Sequence, residues 1–504
     1  MSHSRLKTYT TVLFIVGIIM FMLLGGASAI YTFAASTRNV SLFHGLLGIF
    51  GSPAAGLSHF REFVGSAIFF QLLGNSLVLS VMPSIIAVIF AIPAAGAVGG
   101  MEAGRKRSAA TVALLMPAFI PDFVLAFIVQ QVFPSQAITD PTLFRVIMVL
   151  LAAIRPACIC AFVGACTAGL CKDNGKSVLH GAAAGVLVGI AVSLVRFLSS
   201  NIELLTLLHN PFVFSTTDTF DSFGYRQGFI LFQFSYASAI WVFKTLLQMF
   251  AAVLVAVVVF YCVGMGLEDK YTYPYSSSDK QAGLVPGLIG ALALVAGLLI
   301  PVMYSGSAVG NMLMRAIGHS VITTTASAVL FSIMLFALAA WLCVNINKMG
   351  ALILVLVLVA IVNNTVGGFM LFHRLGLTNT HHAVILYNAF NIAFVLPLAY
   401  LARLRNVQFT TFASIVQAML PYLVVFVGLF VANTWGNSFP QMIYLHDRML
   451  WGVPMLLVET VSFANGMPVA GMILGVTMPI LAIAVVTGCV YVVTDRVDFS
   501  GNSE

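Results

Sequence analysis

The chain has 504 residues, of which 60% are hydrophobic and 8% charged, and its mean hydropathy is +1.04. Soluble domains carry about 25% charged residues, so this composition places the chain in a lipid bilayer. A membrane helix takes about 20 apolar residues; the length therefore fits roughly a dozen spans with short connections and leaves no room for a separate aqueous catalytic domain, so no enzymatic activity is expected. The net charge of +7 and pI near 9.1 do not point to nucleic acid, because Lys and Arg flank apolar runs, where they orient helices.

In chain order, apolar runs long enough to cross a bilayer lie at 11–35, 68–98, 109–133, 143–170, 181–200, 236–266, 283–304, 319–343, 349–372, 383–402, 411–433 and 467–493. The expected fold is an all-α polytopic membrane protein of about twelve helices. Ala27-Ser28-Ala29 looks like a signal-peptidase site, but the run continues to Ala35, so an uncleaved first helix is expected. With the N-terminus in the cytoplasm, the inner loops collect Arg5, Lys7, Arg105, Lys106, Arg107, Lys172, Lys176, Lys270, Lys280, Lys348, Arg403, Arg405 and Arg496, against Arg38, Arg61, Arg226, Arg315, Arg374 and Arg448 outside. That asymmetry predicts both termini on the cytoplasmic side of the membrane.

The stretch Gly266 to Gln281, GLEDKYTYPYSSSDKQ, reads as a cytoplasmic linker dividing the spans six and six. It separates a first half, 1–266, and a second half, 282–504, by a linker at 267–281. A weak repeat agrees: Gly74-Asn75-Ser76 and Gly318-His319-Ser320 hold the same place before a long apolar helix. Duplicated units are common in carriers.

The seven cysteines, 158, 160, 166, 171, 262, 343 and 489, fall in or at the ends of apolar segments without CxxC spacing, and no Asp, Glu or His accompanies the first four. They read as free packing thiols, with no metal site expected. The segment Gly169 to Ser177, GLCKDNGKS, looks like a phosphate-binding loop but has five residues between its glycines instead of four and joins two membrane helices, so the chain is expected to bind no ATP and no other cofactor.

Charges inside spans mark paths or interhelical ion pairs. Asp122, Arg155, Arg196 and Lys244 are the candidates, with snorkelling the alternative for the two arginines. Asn363, Asn364, Asn388 and Asn391 would bind hydroxyl groups or bridge helices. Near the outer side, Tyr225, Tyr236, Trp241, Trp435, Asn437 and Trp451 offer aromatic faces and an amide, the alternative being an interfacial aromatic belt. The segment 201–234 carries Phe212, Phe214, Phe220, Phe223 and Tyr225, which need burial, and predicts an ordered extracytoplasmic lid.

Leu208 to Thr245 closely resembles the segment before the last helix of polysaccharide-type permeases of bacterial ABC sugar importers. The likeness is carried by Asn210-Pro211, Ser215-Thr216, Asp218, Tyr225-Arg226, Ser235-Tyr236-Ala237 and Phe243-Lys244, and upstream by Phe60 to Phe133. The second half is similar to the maltose-permease-like partner of such importers, through Arg374 to Thr380, RLGLTNT, and Asn433 to Leu445, NTWGNSFPQMIYL, followed by His446 to Leu450. The resemblance implies two different type I ABC permease subunits fused into one chain. It further implies carbohydrate import by alternating access, with ATP on a separate cytoplasmic ATPase and delivery by an extracytoplasmic sugar-binding protein.

The family's Glu-Ala-Ala coupling loop is missing from both expected places, Cys171 to His180 and Arg403 to Thr410, which are too short to project a helix-turn-helix. An ATPase would then dock elsewhere, with Arg105, Lys106, Arg107, Arg403 and Arg405 the candidate contacts. The competing expectation is a degenerate permease-like scaffold, sensor or assembly subunit uncoupled from ATP. An ion-coupled carrier is the third, disfavoured because Asp122 is the one acid read clearly within a span.

Overall fold

The computed structural model describes residues 3–40, 48–102, 105–173, 177–267, 307–362, 365–405, 409 and 411–463. Among these residues all regular structure is helical apart from one isolated bridge between Arg38 and Ala54. The chain is an all-α polytopic membrane protein, as its composition demands. Large apolar side chains such as Ile89, Phe90, Phe250, Leu254 and Tyr261 lie exposed along helix flanks, which in an aqueous protein would be a liability and in lipid is the solvated state.

The first apolar run is one near-continuous helix in three parts, α1 (His3–Phe21), a π-helical turn (Met22–Gly26) and α2 (Ala27–Ser36). The signal-peptidase-like tripeptide lies inside α2. Two short helices, α3 (Gly48–Gly51) and α4 (Ser58–Val64), lead to α5 (Phe69–Gly99). The next span is broken: α6 (Arg105–Leu115) continues through a 3-10 turn (Met116–Phe119) to α7 (Asp122–Val132), the two arms meeting at 74°. Pro117 and Pro121 explain the break, since each removes an amide donor and fixes φ. After a short α8 (Ser135–Thr139), α9 (Pro141–Asp173) and α10 (Val178–Val195) are full spans packed against α5 through small residues.

The expected lid is folded into α11 (Ile202–Leu208), α12 (Phe214–Thr217) and α13 (Phe220–Tyr225), followed by the long span α14 (Phe234–Leu267). Phe220 and Phe223 are buried as anticipated, whereas Phe212 is 72% exposed. The C-terminal part holds α15 (Ser307–Asn345), then a second bent pair, α16 (Met349–Ile361) and α17 (Thr365–Arg374), meeting at 68°. It continues with α18 (His381–Ala389), α19 (Val395–Arg405), α20 (Phe412–Trp435), α21 (Phe439–Tyr444) and α22 (Val453–Phe463).

Six described helices are long and apolar enough to cross a membrane, eight when each bent pair counts as one span. The run at 383–402 departs from the expected single helix, splitting at Phe390–Phe394 into α18 and α19. The runs expected at 283–304 and 467–493, Cys489 and most of the linker lie outside the described residues. Six cysteines are described, all free thiols.

The two parts of the chain share one core. Phe331 on α15 stacks on Phe430 of α20 at 4.0 Å, and Phe394 of α19 stacks on Phe426 of α20 at 5.0 Å. Phe426 in turn meets Phe162 of α9 edge-on at 6.3 Å. Helix α1 packs on α15 of the C-terminal part, and α2 packs on both α17 and α14. The repeat noted in the sequence has a structural counterpart. Ser76 Oγ on α5 accepts from the N–H of Phe220, the first residue of α13, at 3.0 Å, and Ser320 Oγ on α15 accepts from the N–H of Val453, the first residue of α22, at 2.8 Å.

Candidate functional site

Between the two parts lies a cavity of about 330 Å³. The N-terminal part contributes Asp122, Arg155, Arg196, Ser200, Asn201 and Glu203; the C-terminal part contributes Thr365, Tyr387, Asn388, Asn391, Asn433 and Asn437. Aromatic walls come from Phe372, Phe390, Phe430, Phe439 and Tyr444. A space lined by amides, hydroxyls and rings at the centre of an apolar bundle is costly to build, and such polar interiors mark substrate paths.

The break in the second span positions its first charge. Asp122 follows Pro121 at the N-terminus of α7, where the helix dipole favours an anion, and its Oδ2 accepts from Arg155 Nη1 at 2.9 Å. Arg155 Nη2 also donates to the Ile120 carbonyl at 2.9 Å, satisfying an oxygen that the bend leaves outside the helix ladder. Asp122 is 5% exposed, so this ion pair is a wall of the cavity and not a surface contact. Two further polar atoms there, Arg155 Nε and Tyr444 Oη, are buried with no hydrogen-bond partner among the described residues. Across the cavity, Asn437 Nδ2 donates to Asn388 Oδ1 at 3.4 Å.

Glu203 was not singled out in the sequence. It is the second residue of α11, whose N-cap Asn201 accepts from the Leu204 N–H at 3.2 Å. It is 7% exposed, and its Oε1 accepts from both the backbone N–H and the Oγ–H of Ser438, each at 2.7 Å. Burial, and then the neighbouring Asp122 carboxylate, push the Glu203 carboxyl up to about 8. Besides Asp122, the acid read within a span, Glu203, Asp218 and Asp221 are also buried, in the connection between α10 and α14. A lone acid inside the apolar run Ile202 to Leu208 was the available signal.

The remaining candidates form a second group, outside the cavity lining. Lys244 on α14 is 1% exposed and forms a short ion pair with Asp221 of α13; its ammonium also lies 4.1 Å from the Trp241 ring centroid. Asp221 Oδ2 accepts from the Ser200 N–H at 2.9 Å, and Ser199 Oγ accepts from Gln248 Nε2 at 3.0 Å. Asp218 and Arg226 form a two-point ion pair beside Ser222, with the guanidinium 4.3 Å from the Phe214 ring centroid. Tyr225 stacks on Phe229 at 5.4 Å, Tyr236 meets Phe63 and Phe223 edge-on, and Trp435 is buried with Phe123 and Val453. The Lys244–Asp221 pair and the Tyr236–Phe223 contact fasten the lid to α14. Of the nine path candidates, Asp122, Asn388 and Asn437 line the cavity; Tyr225, Tyr236, Trp241, Lys244 and Trp435 do not. Asn363 lies outside the described residues.

The basic docking candidates are also separated. Lys106 is exposed, but Arg107 is 6% exposed and covers Gly169 of α9, where a Cβ would lie 1.4 Å from its Nη2. Arg403 is half-buried with its guanidinium 5.5 Å from the Phe409 ring centroid. The side chains of Arg105 and Arg405 lie outside the described residues. No group of three His, Cys, Asp or Glu able to hold a metal occurs among the described residues.

No family model matches the sequence, and no curated protein matches it. Three solved chains are similar, two of which are as follows. One is from a bacterial ABC transporter involved in import of the acidic polysaccharide alginate, with 20% identity over 45% of this chain and 88% of that chain and a TM-score of 0.36. The other is from a bacterial alginate ABC transporter in complex with an alginate pentasaccharide-bound periplasmic protein, with 19% identity over 42% of this chain and 83% of that chain and a TM-score of 0.33. Both TM-scores fall below 0.5, and the functional reading rests on the chain's own residues.

Proposed function

We propose that the chain is the transmembrane permease component of a carbohydrate importer of the ABC type, moving its cargo through the central cavity by alternating access between 1–266 and 282–504. The observation that carries this reading is the polar cavity at the meeting of the two parts, whose amides, hydroxyls and ring faces are the groups that hold sugar hydroxyls and C–H surfaces. The matched contacts of Ser76 and Ser320 support two related halves. Asp122, Asn388 and Asn437 are the path residues favoured by position. The protein resides in a bacterial cell membrane with both termini cytoplasmic, contacts lipid around its apolar flanks, takes cargo from an extracytoplasmic sugar-binding protein, and relies on ATP held by a separate ATPase.

A second reading, a permease-like scaffold or assembly subunit uncoupled from ATP, is favoured by one observation. Helix α9 ends at Asp173 and α10 begins at Val178, while α19 ends at Arg405 and α20 begins at Phe412, which supports the expectation that neither connection projects a coupling helix. Purification from native membranes separates the two readings. Co-elution of an ATPase whose turnover rises with an oligosaccharide and its binding protein is expected from the importer; a stable complex with no ATPase sinks it in favour of the scaffold.

A further inference from the structure

Glu203 stands where the two parts of the chain meet. Through Ser438 it holds the start of α21, so a carboxyl of the N-terminal part grips a helix end of the C-terminal part by two hydrogen bonds of 2.7 Å. The charged and titratable groups facing it are Asp122 from α7, Arg155 from α9 and Tyr387 from α18; Arg196 at the end of α10 and Asp221 of α13 face Tyr387 in turn. Arg155 is engaged by Asp122 at 2.9 Å and by the Ile120 carbonyl, and Arg196 faces Asp221 and Tyr387. A second negative charge beside Asp122 in this small, buried space is disfavoured. Once water fills the cavity the penalty falls, because a hydrated carboxylate is the ordinary state at neutral pH.

We propose that the Glu203 carboxyl is a proton-binding site on the seam between the two parts, and that opening of the cavity to water is coupled to release of its proton into that water. The O–H bond of the neutral acid breaks, the proton goes to solvent, and the carboxylate remains at the cavity wall. The upward push that burial gives the Glu203 carboxyl supports this assignment. By linkage, raising the pH then favours the open arrangement, and cargo that binds the open arrangement promotes proton release. The proposal rests on the transport reading only in treating the cavity as one that opens; it is independent of which cargo enters.

The test uses the full-length protein in lipid nanodiscs carrying Ala393→Cys, a position on the cavity wall away from the described cysteines, with the protein lacking that substitution as blank. The rate of reaction with a membrane-impermeant maleimide is followed from pH 5.5 to 8.5, with and without Glu203→Gln. The reagent's own pH dependence is common to both backgrounds, so the ratio isolates the carboxyl. The ratio of the rate with Glu203 to that with Gln is expected to climb with pH, by at most about tenfold per pH unit for one proton. Superimposable profiles with measurable labelling overturn the proton site and leave the transport reading standing. No labelling at any pH in either background overturns the transport reading together with the coupling. Should Glu203→Gln fail to insert, Ser438→Ala serves. It removes one donor that favours the charged carboxylate and is expected to move the profile to higher pH; an unmoved profile overturns the proposal.

Discussion

Ser76 and Ser320 perform the same task on opposite parts of the chain: each hydroxyl oxygen accepts the first amide of a short helix returning to its own long span, Phe220 in one case and Val453 in the other. Both serines are buried, at 0% and 1% exposure, so each amide has lost water as an alternative partner. Ser76→Ala and Ser320→Ala are therefore expected to destabilise the protein by similar amounts, about 1–3 kcal/mol each, and to add when combined because the sites are distant. Thermal unfolding in detergent measures both. A loss confined to one variant would show that the two contacts are unrelated.

Lys244 is held in a site with no room for an unpaired charge. Lys244→Met or Asp221→Asn alone leaves its former partner buried, and each is expected to cost about 3–5 kcal/mol and to reduce the yield of folded protein. The pair Lys244→Met with Asp221→Leu is expected to recover a substantial part of that loss. Failure of the pair to improve on either single change would point to a role for these charges beyond fastening the lid.

His209 gives the lid a dependence on acidity. Its Nε2 lies 3.0 Å from Thr217 Oγ1, whose own proton goes to the Val213 carbonyl at 2.8 Å, so the imidazole is the donor there. Burial, partly opposed by Asp218, holds its pKa down to about 4 from the usual 6.5. The folded lid thus binds fewer protons than the unfolded chain between pH 6.5 and 4. Its contribution to stability is complete above pH 6.5 and is lost as the pH falls through that window. Limited proteolysis in residues 209–217 is expected to accelerate from pH 7.5 to pH 5, and His209→Phe to flatten the dependence. Equal pH dependence in both proteins would exclude His209 as its origin.

Much of the fold was legible in the sequence. Apolar runs located nearly every described span to within a few residues, since burial in lipid demands length and hydropathy before anything else. The break at Pro117 and Pro121 was visible too. The split between α18 and α19 was not, because Phe390 to Phe394 has no Pro or Gly and a single polar residue, Asn391, within an apolar run. Asp122, Asn388 and Asn437 stood out as polar residues in or near spans. Glu203 and Asp221 belong to the segment read as an ordered lid, whose aromatics called for burial; that these two acids are buried with them follows from how the segment folds back onto α14 and the second part, which no local pattern encodes. The same fold-back turned Lys244 from an apparent path residue into a buried anchor.

Glycines separate tight from open packing. A Cβ at Gly367 on α17 would meet Thr32 Oγ1 at 2.0 Å and the Ser28 carbonyl at 2.2 Å, whereas at Gly318 on α15 it would meet nothing within 4 Å. Gly367→Ala is expected to lower the melting temperature markedly through overpacking, about 1–3 kcal/mol. Gly318→Ala is expected to be neutral or to stabilise, by about 0.5–1 kcal/mol. Equal effects would mean that α2 and α17 can move apart without cost.

The proposed orientation has its own check. A reporter fused after Ser277, in the linker at 267–281, is expected to read as cytoplasmic under the positive-inside rule. An external reading would change the number of spans before the linker from even to odd.

Helices α1 and α2 cross over to grip α15 and α17, and this has a consequence for assembly. On the proposed division at 267–281, two pieces cut within that stretch are expected to find each other through these contacts without the peptide bond between them. A continuous chain then fixes stoichiometry: one copy of each part, made at the same time, with no surplus of either left in the membrane to pair with itself.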